Sequence, residues 1–183
     1  QGKNSIADFI PVARVSDMLL KPGQKFDYDG REYTYPDIDL IYWAGGNPFH
    51  HHQNLARLRK AWEKPSTVIV NEWCWNALAR HADIILPCTT TLERQDIGMT
   101  PRDPFVISMD KAIEPFGEAR NDYDIFTGIA RYMDTEDTFT EGRSAEDWQK
   151  WIWEQSCEQA AKLNVQMPDY QSFREAGFYK SPK

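Results

Sequence analysis

The apolar positions of this chain come in short blocks cut by glycine and proline. Ile38 to Ala44 (IDLIYWA) is a mostly apolar run that follows Tyr35-Pro36 and stops at Gly45. Its length and glycine stop predict a buried strand rather than a helix. From Pro48 to Trp62 the period changes, with His51, Leu55, Leu58 and Trp62 on one helical face and Arg57, Arg59 and Lys60 off it. Asn47 can cap that helix and Pro48 is tolerated in its first turn. STVIVNE (66–72) predicts a second buried strand and ADIILP (82–87) a third, with a short helical connection from Asn76 to Arg80. Strand, helix, strand, helix, strand over some fifty residues is the pattern of a parallel sheet wound by right-handed crossovers. The expected fold is therefore a three-layer α/β/α, Rossmann-like domain with a mainly parallel sheet.

Downstream, residues 104–115 read as an extended segment between prolines. Phe126, Ile129, Ala130 and Met133 then form a helical stripe opened by Asn121 or Asp122. A last helix runs from Ala145 to about Leu163, begun by the capping signal Ser144-x-x-Asp147. Its Trp148, Trp151 and Ile152 form an apolar patch, and aromatics at helical spacing point to core packing rather than a ligand platform. Residues 1–37 read as ordered loop and short strand. The scattered aromatics of residues 167–183 read as packing against other parts of a larger parent. The organisation expected is an N-terminal extension over 1–37, an α/β core over 38–135 and a C-terminal helical extension over 136–183.

Composition narrows the function. The 183 residues suit one domain with a real core, and 21 Lys and Arg stand against 28 Asp and Glu, a formal charge of −7. That balance argues against sequence-independent nucleic-acid binding, though not against a small nucleotide held by local contacts. No stretch is apolar enough to span a bilayer. Three irregularly spaced cysteines, Cys74, Cys88 and Cys157, support neither a disulfide framework nor a regular zinc site. Cys88 has no positioned histidine partner in the sequence and reads as a small packed residue. The chain begins with Gln1, which suggests an excised or processed segment.

Ligands of a doubly wound sheet bind at the carboxyl ends of its strands. After the first strand comes Gly45-Gly46-Asn47-Pro48, either a loop that lets backbone approach a ligand or a plain tight turn. His50, His51 and His52 follow, but neighbours on a helix diverge by about a hundred degrees and cannot share one ion. No metal site is expected there, and one histidine faces a ligand or the core. After the second strand, Asn71-Glu72 sits where dinucleotide folds hold a ribose diol, and a carboxylate also matches the donors of guanine. The alternative is a solvated surface glutamate. After the third strand, Arg94 could clamp a phosphate, or pair with Glu93 or Asp96 in a surface network.

The ordered strings WAGGNPFHHHQNLARLRKAW, VIVNEWCWNALARHADIILPCTTTLERQDI and EARNDYDIF resemble the molybdopterin oxidoreductases of the dimethyl sulfoxide reductase family. Within it they look most like the trimethylamine N-oxide and biotin sulfoxide reductase group. The resemblance is strongest over 38–133, and both flanks read like that group as well. It implies a reductase that holds molybdenum between two molybdopterin guanine dinucleotides and takes an oxygen atom from an S-oxide or N-oxide. This segment would bind the nucleotide part. By position, Gly45, Gly46, Asn47 and Pro48 would form the loop against the pyrophosphate or pterin, and His51 would reach the cofactor. Asn71 and Glu72 would meet the nucleoside, Arg94 would approach the cofactor and Asp122 would hydrogen-bond guanine.

The sequence departs from that family at Asn76 and Leu78, where relatives commonly carry threonine, and at Glu72, where they carry aspartate. The resemblance places the molybdenum-ligating serine upstream, so no catalytic residue is expected here, the segment alone should be inactive, and no cofactor is expected on it. The implied partners are the parent's remaining domains, an oxide substrate and an electron donor, with no nucleic acid. The periplasm is the implied location, with the cytoplasm as the alternative. The rival reading is a stand-alone nucleotide-binding or interaction module. A flavodoxin-like redox protein would need a Ser- and Thr-rich phosphate loop where GGNPF stands.

Overall fold

The computed structural model describes residues 9–182, so the first eight residues of the expected 1–37 extension lie outside it, as does Lys183. The chain forms two compact units, residues 1–86 and 87–183. No helix among the described residues is long and apolar enough to cross a membrane.

The first unit opens with a short helix, α1 (Val15–Leu20), and an antiparallel hairpin, β1 (Lys25–Tyr28) and β2 (Arg31–Thr34). This helix and hairpin replace the loop and short strand that the sequence predicts for this stretch. The hairpin turns at Asp29-Gly30, both at positive φ, a pair suited to a tight two-residue turn. Phe26 stacks on Tyr35 at 4.3 Å.

Next come β3 (Leu40–Ala44), α2 (Pro48–His51), α3 (Leu55–Trp62), β4 (Thr67–Glu72) and β5 (Ile84–Pro87). The three strands form one parallel sheet in the order β3-β4-β5, as the apolar runs predicted. In the β3–β4 pair Leu40 stands opposite Thr67 and Ala44 opposite Asn71. Entry into β5 is fixed by Asp83, whose carboxylate accepts from Val68 N at 2.8 Å while its own amide donates to Val68 O at 2.9 Å. The core joins Leu58, Ala61 and Trp62 of α3 to Val68 and Val70 of β4, with Leu19, Phe49 and Leu78. Arg57 donates to Asp17 at 2.6 Å, tying α3 to α1.

The single helix expected over 48–62 is two. His52 is extended, and Asn54 takes a left-handed conformation (φ 53) from which its side chain accepts Arg57 N at 3.2 Å. Asn tolerates that conformation and caps well, so a second helix starts where a continuous one would leave the asparagine unused. His51 is thereby removed from the α3 face and is exposed. The connection near residues 76–80 is a single tight turn over Ala79–His81.

The second unit carries β6 (Asp96–Met99), β7 (Phe105–Met109), α4 (Asp122–Tyr132), α5 (Glu136–Thr140), α6 (Ala145–Lys162), α7 (Tyr170–Ala176) and β8 (Phe178–Lys180). Its sheet is antiparallel, in the order β6-β7-β8. The α4 stripe is shifted: Ile125 and Ala130 are buried while Met133 is 66% exposed. On α6 the core reading of Trp151 and Ile152 is corrected, since both are exposed. The buried residue is Trp153, which stacks on Phe173 of α7 at 3.8 Å. The tail therefore packs its own aromatics within this unit.

Candidate functional site

The candidate residues fall into two groups, one in each unit. In the first, parallel pairing sets the geometry. Because Ala44 stands opposite Asn71, the β3–β4 pairing ends just before Gly45 on one strand and just before Glu72, the last residue of β4, on its neighbour. Tyr42 donates its hydroxyl to Asn71 Oδ1 at 2.8 Å across the pair. Gly45 and Gly46 both lie in the left-handed region (φ 81 and 69), and a Cβ at either would meet nothing within 4 Å. The loop backbone is therefore bare and open, a surface that another group can approach closely. Trp43 Nε1 donates to Gly45 O at 2.8 Å, pinning the turn. Asn47 caps α2 by accepting Phe49 N at 3.0 Å, and Pro48 is fully buried behind it.

Asn71 and Glu72 are 4% and 8% exposed, so Glu72 is not the solvated surface glutamate of the alternative reading. Its carboxylate accepts Trp73 N at 3.0 Å. His51 is not drawn into this edge by helical packing. It lines a hollow of about 300 Å³ together with Ser16, His52 and Arg57. Among the described residues, no group of three His, Cys, Asp or Glu side chains is placed to hold a metal ion.

In the second unit, Arg94 and Asp122 line one cavity of about 260 Å³, with Asp96, Asn121, Trp148 and Gln149. Arg94 takes the second of its two predicted partners: Nε donates to Asp96 at 3.2 Å, and Nη1 donates to Thr89 O at 2.8 Å. Glu93 is turned away from it. Its carboxylate accepts Thr90 N at 2.7 Å, the Thr90 hydroxyl at 2.9 Å and Phe116 N at 2.8 Å. Those bonds hold the Glu93 carboxyl below the usual glutamate range, Thr90 N–H first, against the opposing effect of burial. Thr89 joins the far side, donating its hydroxyl to Asn121 at 2.9 Å and its amide to Arg120 O at 3.0 Å. Residues 87–89 and 120 thus run side by side, with a parallel bridge between Cys88 and Arg120, and Asp122 opens α4 directly beyond them. A cation and a carboxylate at one cavity suit a ligand with an anionic part and a hydrogen-bond-donating edge.

Sequence reasoning missed Tyr42 and Thr89, and read Asn121 only as the opener of a helix, not as a partner of Thr89. Their roles depend on partners 29 and 32 residues away, for which single-sequence periodicity has no signal. It also set Trp148 aside as core, whereas that residue lines the cavity.

Comparison with known proteins identifies the family. The family model described as Molybdopterin oxidoreductase matches residues 13–132, more than half of the chain. A biotin sulfoxide reductase of Cereibacter sphaeroides is 45% identical over 178 residues, covering 97% of this chain and 24% of the relative. A dimethyl sulfoxide/trimethylamine N-oxide reductase of the same organism is 47% identical over 178 residues, covering 96% and 22%. The chain thus spans less than a quarter of the length of these relatives. Acetylene hydratase from Pelobacter acetylenicus shares the fold, with a TM-score of 0.57 at 19% identity over 81% of this chain and 19% of that one. A family match over most of the chain, relatives aligned nearly end to end with it, and a shared fold lead to one conclusion: this chain belongs to the molybdopterin oxidoreductases.

Proposed function

We propose that this chain supplies the nucleotide-binding part of a molybdenum reductase that removes an oxygen atom from an S-oxide or N-oxide. The family implies a molybdenum–molybdopterin cofactor, and in this reading it is the bis(molybdopterin guanine dinucleotide) form. The residues present fit such a group. Gly45 and Gly46 offer a backbone without Cβ atoms to a pyrophosphate or pterin, with the turn fixed by the Asn47 cap and buried Pro48, and His51 would reach the cofactor from the neighbouring hollow it lines. Asn71 and Glu72 offer an amide and a carboxylate beside that loop to a ribose diol. In the second unit, taken by itself, Arg94 would meet an anionic group and Asp122 would accept the N1–H and amino donors of guanine. When bound, the molybdenum centre supplies the oxygen-atom chemistry, and this chain's residues only bind and orient its nucleotide end. The parent's other domains, an oxide substrate and an electron donor complete the enzyme, which works in the periplasm.

One observation carries the reading: Arg94 and Asp122, 28 positions apart in sequence, line the same cavity. The test is an NMR titration of the ¹⁵N-labelled chain with GDP and with ADP. Binding should be weak, roughly millimolar, because a few hydrogen bonds at about 1 kcal/mol net each barely offset lost rigid-body freedom. Asp122→Asn replaces one acceptor oxygen with a donor that faces a donor. Loss of one charge-assisted bond, about 1.5–3 kcal/mol, should weaken GDP about tenfold or more and ADP far less. Equal losses for the two nucleotides would remove Asp122 from guanine recognition. Micromolar GDP binding would contradict the weak-binding claim.

A further inference from the structure

We infer that Trp148 is the platform on which the nucleobase stacks in the Arg94–Asp122 cavity, an inference that rests on the guanine reading above. A carboxylate reads only the edge of a base and leaves its two flat faces to be covered. Two aromatic residues, Tyr123 and Trp148, line the cavity. Tyr123 is committed elsewhere: its ring stacks on Phe139 at 5.6 Å and its hydroxyl donates to Arg143 O. Trp148 is half-buried, and the Arg143 guanidinium lies 4.5 Å from its ring centroid. Trp151 meets it at 90° with centroids 5.4 Å apart. The guanidinium lies against the indole, and the base would stack on the part of the ring that lines the cavity.

The platform is held rigidly relative to the residues it would serve. The start of α6 is fixed by a capping box, with Ser144 Oγ accepting Asp147 N at 3.1 Å and Asp147 accepting Ser144 N at 3.0 Å. The Tyr123–Arg143 bond ties the first turn of α4, which carries Asp122, to the residue before that cap. Gln149 Nε2 donates to Gln95 O at 3.0 Å, tying α6 to the residue after Arg94. Edge reader, cation and ring thus come from three cross-linked segments. Such prior ordering lowers the entropic cost of binding.

The experiment is a titration of the 183-residue chain and its Trp148→Leu and Trp148→Phe variants with GDP and with inorganic pyrophosphate. The guanine H8 resonance and the backbone amides are followed by NMR. Stacking predicts an upfield ring-current displacement of H8 at saturation, abolished in Trp148→Leu and kept in Trp148→Phe. It also predicts GDP affinity about tenfold lower in Trp148→Leu, restored by phenylalanine, with pyrophosphate binding unchanged. A purely structural role for Trp148 would weaken GDP and pyrophosphate alike and leave H8 undisplaced, which would overturn the inference. If GDP moves the amides of Asn121 to Tyr123 but H8 stays in place, the guanine reading stands and the platform falls. If GDP moves none of these amides, both fall.

Discussion

Two glycines in open space should respond to alanine with opposite signs. At Gly46 (φ 69) an added Cβ meets nothing within 4 Å, so no clash contributes and only the left-handed backbone penalises the side chain. That penalty is about 1–2 kcal/mol, reduced by the roughly 0.4–1 kcal/mol that alanine gains by restricting the unfolded chain. Gly46→Ala should therefore destabilise the first unit by about 1 kcal/mol. Gly128 also faces open space, but it lies inside α4 at ordinary helical φ. There Gly128→Ala should stabilise the second unit by about 0.5–1 kcal/mol, the usual preference of a helix interior for alanine. Since the chain has two compact units, native-state hydrogen exchange is the suitable assay, with β4 amides reporting the first unit and α4 amides the second. A neutral or stabilising Gly46→Ala would refute the left-handed turn at the sheet edge. A destabilising Gly128→Ala would refute the claim that its surroundings are open.

Two further outcomes are expected. Phe173 is fully buried and stacked on Trp153, so Phe173→Ala should cost about 3–5 kcal/mol in the second unit, measured by the same exchange method, and a cost near zero would contradict the tail's place in that core. Glu93 has a depressed folded pKa, so its stabilising bonds are fully present above the ordinary glutamate value of about 4.3 and are lost as pH falls through the folded value. The Phe116 amide shift should follow that titration, and Glu93→Gln should abolish it. An unchanged inflection in the variant would assign the titration to another group.

What could be read from the sequence was what depends on near neighbours. The apolar runs that became β3, β4 and β5 stop at glycine, at Glu72-Trp73 and at proline, and a strand's length and end are local properties. The Asn47 and Ser144 caps were equally local, since each cap and its acceptor or donor lie within three residues. Local signals were also overlooked: Asp29-Gly30 marks the hairpin, and Asn54 breaks the helix run by its own backbone preference. What could not be read was which face of α6 would be buried. Trp148, Trp151 and Ile152 make the better apolar stripe in isolation. Trp153 is buried because Phe173, twenty positions downstream, folds back onto it.

The site divides along the same line. Gly45 and Glu72 become neighbours because the parallel β3–β4 pairing ends just before both of them, and the register Ala44–Asn71 fixes which residues follow it together. Once two consecutive apolar runs are taken as parallel strands, the residues after each run are candidates without any knowledge of side-chain contacts. Arg94 and Asp122 are different. They share a cavity because Glu93 bridges Thr90 to Phe116 and Thr89 bridges to Arg120 and Asn121, and none of these polar residues carries a periodic signal. Thr89 holds Arg94 directly, its carbonyl accepting from Nη1 at 2.8 Å, while Glu93 acts on the same segment through Thr90 and Phe116, so a change at either residue should move Arg94. The cavity's chemistry therefore belongs as much to the residues that position Arg94 and Asp122 as to that pair itself.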